Sequence, residues 1–144
     1  TRAQYARYLV QIGKVSNDGQ AFKRYLGGGK SCFVKAEWVD IPTAIDTIHA
    51  AGGVAIIAHP MRYNMTGKWI RRLIVDFKQW GGDGMEVADS GQTKDQRQYL
   101  ARLANEYDLA ASLGSDFHFP CGWIELGKNL FLPEEVKPIW TLFE

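Results

Sequence analysis

The sequence predicts an α/β fold, a sheet of mainly parallel strands joined by crossover helices. Three observations point that way. From Asp40 onward, amphipathic helical stretches alternate with short apolar runs. Two of those runs follow glycine pairs, Gly52-Gly53 and Gly81-Gly82, that stop the preceding helix. Each run is also followed, at its C-terminal end, by an unusual polar residue: His59, Glu86, and Asp116 with His118. Parallel α/β sheets place ligands at those strand ends, so the agreement of three positions counts for more than any residue singly.

The elements follow in order. Thr1 reads as the N-cap of a first helix, with Tyr5, Tyr8, Leu9 and Ile12 at helical spacing and Gly13 as the stop. Ser16 can cap a second helix with Phe22, Tyr25 and Leu26 on one side, ended by Gly27-Gly28-Gly29. A helix from about residue 41 to 51 leads into a strand over 54–58. A helix from about 66 to 80, with Trp69, Ile70, Leu73, Ile74 and Phe77 inward, leads into a strand around Met85-Glu86-Val87. A helix over 93–107 leads into a strand over 109–113, and the apolar residues of the closing segment, Leu130 to Leu132 with Ile139 and Trp140, are expected to cover an edge. The predicted organisation is a helical part over residues 1–40 and an α/β part over 41–144.

Composition narrows the function classes. In 144 residues, 17 Lys+Arg face 16 Asp+Glu for a net charge of +1, so no overall basic field gathers long nucleic acid and a DNA track is not expected. The most apolar run, Val54 to Ala58, falls far short of the roughly 20 residues of a membrane span. Cys32 and Cys121 are too few for a disulfide scaffold, which fits a cytoplasmic setting. The opening Thr1-Arg2-Ala3-Gln4, which reads as a helix start without an initiator Met, suggests a piece of something longer.

Candidate chemistry gathers at the strand ends. If Asp116-Phe117-His118 is extended, residues i and i+2 point the same way, and carboxylate and imidazole converge on one ion or phosphate. Oxygen with imidazole suits Mn, Zn or Fe; the plain alternative is a solvated loop. His59 precedes Pro60, which predicts an extended residue ending a buried strand. Alone it would read as a hydrogen-bonded core histidine; beside the Asp116/His118 pair it reads as a metal ligand. Glu86 reads as a partner behind the ligands or a substrate contact. Arg62 lies close enough to His59 to touch a phosphate, while Arg71 and Arg72 with Lys68 fit the wet face of their helix. Gly29-Lys30-Ser31 resembles the tail of a phosphate-binding loop, but Arg24 stands where its leading glycine belongs, which leaves Lys30 as a solvated lysine or a phosphate contact.

The runs Val54-Ala-Ile-Ile-Ala-His59-Pro60-Met-Arg-Tyr63 and Gly114-Ser-Asp116-Phe-His118 resemble the polymerase-and-histidinol-phosphatase (PHP) family of metal-dependent phosphoesterases. The stretches Thr1 to Leu9 and Phe22 to Lys30 resemble a bacterial subgroup of nucleoside-3',5'-bisphosphate phosphatases, also regarded as 5'-to-3' exoribonucleases on short RNA. The resemblance implies the second half of a distorted (β/α)7 barrel with a small helical insertion at the start of this chain. It implies a centre of two or three divalent metals, Mn foremost, with Zn, Fe or Mg as alternatives. His59, Asp116 and His118 match ligand positions, and Arg2 matches a position suited to substrate phosphate. Gln4 and Met61 depart from a common His and Gly of the pattern.

The family's His-x-His pair and the other ligands of the barrel's first half are absent from these 144 residues. The resemblance therefore implies a hydrolase acting on a small phosphorylated nucleotide or short RNA oligonucleotide, with this chain inactive alone. Two rivals are a non-catalytic PHP-like binding module and a histidinol-phosphate-type small-molecule phosphatase.

Overall fold

The computed structural model describes residues 1–118, 120, 122 and 124–143; Cys121 lies outside them. The chain divides into two compact units, residues 1–38 and 39–144.

In the first unit α1 (Arg2–Gln11) is followed by the short α2 (Asp18–Ala21) and a wider π-helical turn, Phe22–Leu26. The cap of α2 is Asn17, not Ser16: its side chain accepts the Gln20 N–H at 2.9 Å. A small core forms from Ala6, Val15, Ala21 and Leu26, with Leu9 and Phe22 packed against it. The helically spaced residues of α1 are mostly outward. Tyr5, Tyr8 and Ile12 are 65%, 56% and 45% exposed, and fully buried Ala6 marks the inner face. Ala6 lets the neighbouring backbone come close, and bulky Tyr side chains on that side would hold it off.

The second unit is α/β. It contains α3 (Ile41–Ala50), β1 (Ile56–Ile57), a 3-10 turn at Pro60–Arg62, α4 (Gly67–Gln79), β2 (Gly84–Asp89), α5 (Lys94–Glu106), β3 (Ala110–Gly114) and a last 3-10 turn, Ile139–Leu142. The strands lie in the order β1-β2-β3, all parallel. Only Ile56 and Ile57 of the expected 54–58 strand pair with β2, whereas β2 runs two residues beyond Val87 and is buried throughout. The closing segment does cover an edge: the Ala111 N–H donates to the Lys137 carbonyl at 2.7 Å, and Pro138 bridges Ala111 in parallel.

The core joins Ile70, Ile74 and Phe77 of α4 to Met85 and Val87 of β2 and Leu100, Leu103 and Ala104 of α5. Trp69 is 63% exposed against the expectation, because the Ile70-Ile74-Phe77 line defines the buried face and Trp69 lies off it. Gly84 is demanded by packing: a Cβ there would sit 2.7 Å from the Ala110 carbonyl oxygen. His49, at the end of α3, is structural, since its Nε2 lies 2.7 Å from Asp83, which also accepts the Ala55 N–H at 2.7 Å. No helix among the described residues is long and apolar enough to cross a membrane. Ile74 is fully buried, so Ile74→Ala should cost about 2–5 kcal/mol in urea unfolding, while Trp69→Ser should stay within about 0.5 kcal/mol.

Candidate active site

The carboxyl ends of β1, β2 and β3 each deliver a polar group to the same end of the sheet. After β1 the chain turns sharply. His59 has φ 33° and ψ 55°, a left-handed conformation, and caps the Pro60–Arg62 turn. The extended conformation expected before Pro60 is thus overturned. Two bonds hold the turn: the His59 N–H donates to Glu86 Oε2 at 2.5 Å, and its carbonyl accepts the Arg62 N–H at 2.9 Å. Asp116 is also left-handed, at φ 55°. Non-glycine residues held this way cost of order 1–3 kcal/mol each and concentrate at functional sites.

Arg62 draws the strand ends together. Its Nε and Nη2 donate to Asp89 Oδ2 at 3.0 and 2.8 Å, and its Nη1 pairs with Asp116 Oδ2. Burial opposes the guanidinium charge, but the Asp89 and Asp116 carboxylates outweigh it and raise the Arg62 pKa. Asp89 is only 3% exposed, and its other oxygen accepts the Gly91 N–H at 2.7 Å. From behind, Arg97 donates to the carbonyls of Asp89 and Asn129 at 3.3 and 3.0 Å and lies 4.0 Å over the Phe131 ring.

Asp89 was not among the residues singled out in the sequence. The signal available was an acid three residues after Glu86 and just before Ser90-Gly91, a strand-end turn. A regular strand turns residues i and i+3 to opposite faces, but here the register shifts between Glu86 and Ala88. Such a bulge re-aims the side chains beyond it, and Glu86 and Asp89 both reach the 59–62 turn.

Glu86 is 9% exposed. Burial pushes its carboxyl up, against the bond from His59, and the Asp89 charge adds to the rise. The Tyr63 hydroxyl is likewise raised, by burial and then by the Glu86 charge. The Tyr63 ring meets His59 edge-on at 5.8 Å. His59 Nδ1 is buried without a hydrogen-bond partner, an imidazole nitrogen unused by the fold.

His118 does not converge with Asp116 in the expected way. Because Asp116 is not extended, the His118 ring turns back, its Nδ1 lying 2.7 Å from the Asp116 carbonyl oxygen and 3.7 Å from Oδ1, with the side chain 72% exposed. Arg2 and Lys30 are exposed in the first unit, at the start of α1 and in the glycine loop. Among the described residues, no three of His, Cys, Asp and Glu come together as a metal-holding group. A Cβ on Gly114 would sit 2.7 Å from Glu86 Oε1. Gly114→Ala should therefore displace the carboxylate that holds His59 and lower stability by about 1–3 kcal/mol in denaturant titration. Gly28→Ala, with nothing within 4 Å of its added Cβ, serves as the neutral control.

No family model matches the chain. Among curated proteins it is 81% identical over 143 residues to a 5'-3' exoribonuclease of Haemophilus influenzae, covering 99% of this chain and 52% of that protein. It is 41% identical over 145 residues to a 3',5'-nucleoside bisphosphate phosphatase of Chromobacterium violaceum, covering all of this chain and 51% of that one. In structure it resembles an amidohydrolase from Chromobacterium violaceum with bound sulfate, at TM-score 0.79 and 40% identity, over 98% of this chain and 49% of that one. It also resembles a protein of Bifidobacterium adolescentis described as a metal-dependent phosphoesterase, at TM-score 0.72 and 26% identity, over 98% and 50%. The chain spans about half the length of the relatives it matches. The resemblance to phosphoesterases of the bisphosphate-phosphatase and exoribonuclease group, carried by the His59 and Asp116 motifs, is thus borne out in both sequence and structure.

Proposed function

We propose that this chain is part of a metal-dependent phosphoesterase, the second half of a distorted (β/α)7 barrel with residues 1–40 as a helical insertion. Its substrates are nucleoside 3',5'-bisphosphates or the 5'-nucleotides of short RNA. The observation that carries the reading is Arg62, held in the turn that His59 caps and paired with Asp116 at the ends of parallel strands, in a chain whose relatives are named for phosphoester hydrolysis.

The residues present suit divalent metal in kind. His59 has a buried ring nitrogen with no other partner, and Asp116 and His118 add oxygen and imidazole, a donor set that fits Mn. His59, Asp116 and His118 would hold metal, and its Lewis acidity would assist attack of water on phosphorus. With no three-ligand group among the described residues, further ligands come from outside this stretch, and the chain alone is inactive.

This chain's own residues orient the substrate. Asp116 would hold metal with the oxygens that now meet Arg62, which would leave Arg62 Nη1 open, its Nε and Nη2 bonded to Asp89. A guanidinium anchored on one side and open on the other is aimed at a phosphoryl oxygen. Glu86 acts behind it, fixing the His59 backbone.

In a protein of the relatives' full length, Asp116→Asn should lower phosphate release from a nucleoside 3',5'-bisphosphate at least about 100-fold with the fold intact, since residues that merely support a ligand already cost 10- to 100-fold. Normal turnover by that variant would overturn the assignment. The 144-residue chain itself should bind Mn(II) substoichiometrically, read by electron paramagnetic resonance of the free ion, and should release no phosphate.

A further inference from the structure

The net charge of +1 conceals a division. Residues 1–38 hold seven Lys and Arg against Asp18 and Glu37, a net +5, which leaves −4 on residues 39–144. The ion pairs of the described residues all lie in the second unit, so the cations of the first have no carboxylate partner among them. Lys23, Arg24 and Lys30 are exposed. The same unit shows aromatic surface that its core does not use: Tyr5 and Tyr8 stand one turn apart on α1, 65% and 56% exposed. Arg24 lies 5.7 Å over the Tyr25 ring, a further flat face carrying charge.

Unpaired cations and exposed rings carried by one small unit are the combination that holds single-stranded nucleic acid. Cations follow the backbone and rings stack the bases, whatever the sequence. The phosphoester substrate proposed above selects RNA as the strand.

We propose that residues 1–38 form a grip for single-stranded RNA, with Tyr5 and Tyr8 stacking successive bases and Lys23, Arg24 and Lys30 holding phosphates. The choice of RNA rests on the phosphoesterase reading; the binding itself does not. The grip makes an oligonucleotide a better ligand than a mononucleotide, and so bears on which of the relatives' two named substrates the protein prefers.

The test is fluorescence anisotropy of the 144-residue chain and of the protein at its relatives' length, using 5'-labelled oligouridylates of two, four and eight nucleotides. Affinity should rise with length and fall with salt, with a log-log slope near about −0.7 per phosphate held. Tyr5→Ala/Tyr8→Ala should weaken octamer binding about 10-fold or more, since each stacked base contributes about 1–3 kcal/mol. Lys23→Glu/Arg24→Glu, on a different element, should weaken it similarly and flatten the salt slope, and unfolding midpoints show that both variants are folded. Affinity that ignores length or both variants would overturn the grip, as would binding by the 144-residue chain that disappears in the longer protein. Wild-type bisphosphate hydrolysis separates the two readings: hydrolysis without length-dependent binding sinks the grip alone, and length-dependent binding without hydrolysis sinks the phosphoesterase reading alone.

Discussion

One guanidinium ties the three strand ends together. Arg62 follows β1, Asp89 ends β2 and Asp116 follows β3, and the arginine bonds both carboxylates. A carboxylate as buried as Asp89 needs a cation and hydrogen bonds to offset its lost hydration. It receives them from Arg62 and the Gly91 N–H. The position of Arg62 in turn requires the tight turn at Pro60, and that turn requires the left-handed His59. Glu86 holds this geometry through the His59 N–H, and Gly114 leaves space for Glu86. The strained backbone, the bulge and the glycine therefore answer one demand, that two carboxylates and a guanidinium meet where three parallel strands stop.

Much of this was legible in the sequence, and what was not has identifiable physical causes. Alternation of helices and apolar runs is a long-range pattern with little ambiguity, and it led to the parallel sheet and to His59, Glu86 and Asp116 at its carboxyl ends. Left-handed backbone at His59 and Asp116 has no such signature, because tertiary bonds impose it against local preference. Asp89 was missed because alternation stops counting correctly at a bulge. The outward turn of Tyr5 and Tyr8 is not legible because helical spacing is the same for a face turned to core or to solvent. The residue that decides, Ala6, is too small to stand out.

Whole-chain averages misled in a similar way. A net charge of +1 reads as indifference to polyanions, yet it is the sum of a basic unit and an acidic one. The acidity of the second unit suits a surface that gathers carboxylates around cations, and the basicity of the first suits a strand of phosphates. Neither is visible until charge is counted separately on the two sides of the boundary near residue 38.

The bulge in β2 has a consequence for how this protein can change over generations. In a regular strand, loss or gain of one residue flips every side chain beyond it to the other face. Here the irregularity between Glu86 and Ala88 is what lets Glu86 and Asp89 serve the same turn. A one-residue deletion that restored even pairing would improve the ladder while turning Asp89 away from Arg62. Residue count between these two acids is therefore under tighter constraint than residue identity, and divergence in this strand should proceed by substitution rather than by insertion or deletion.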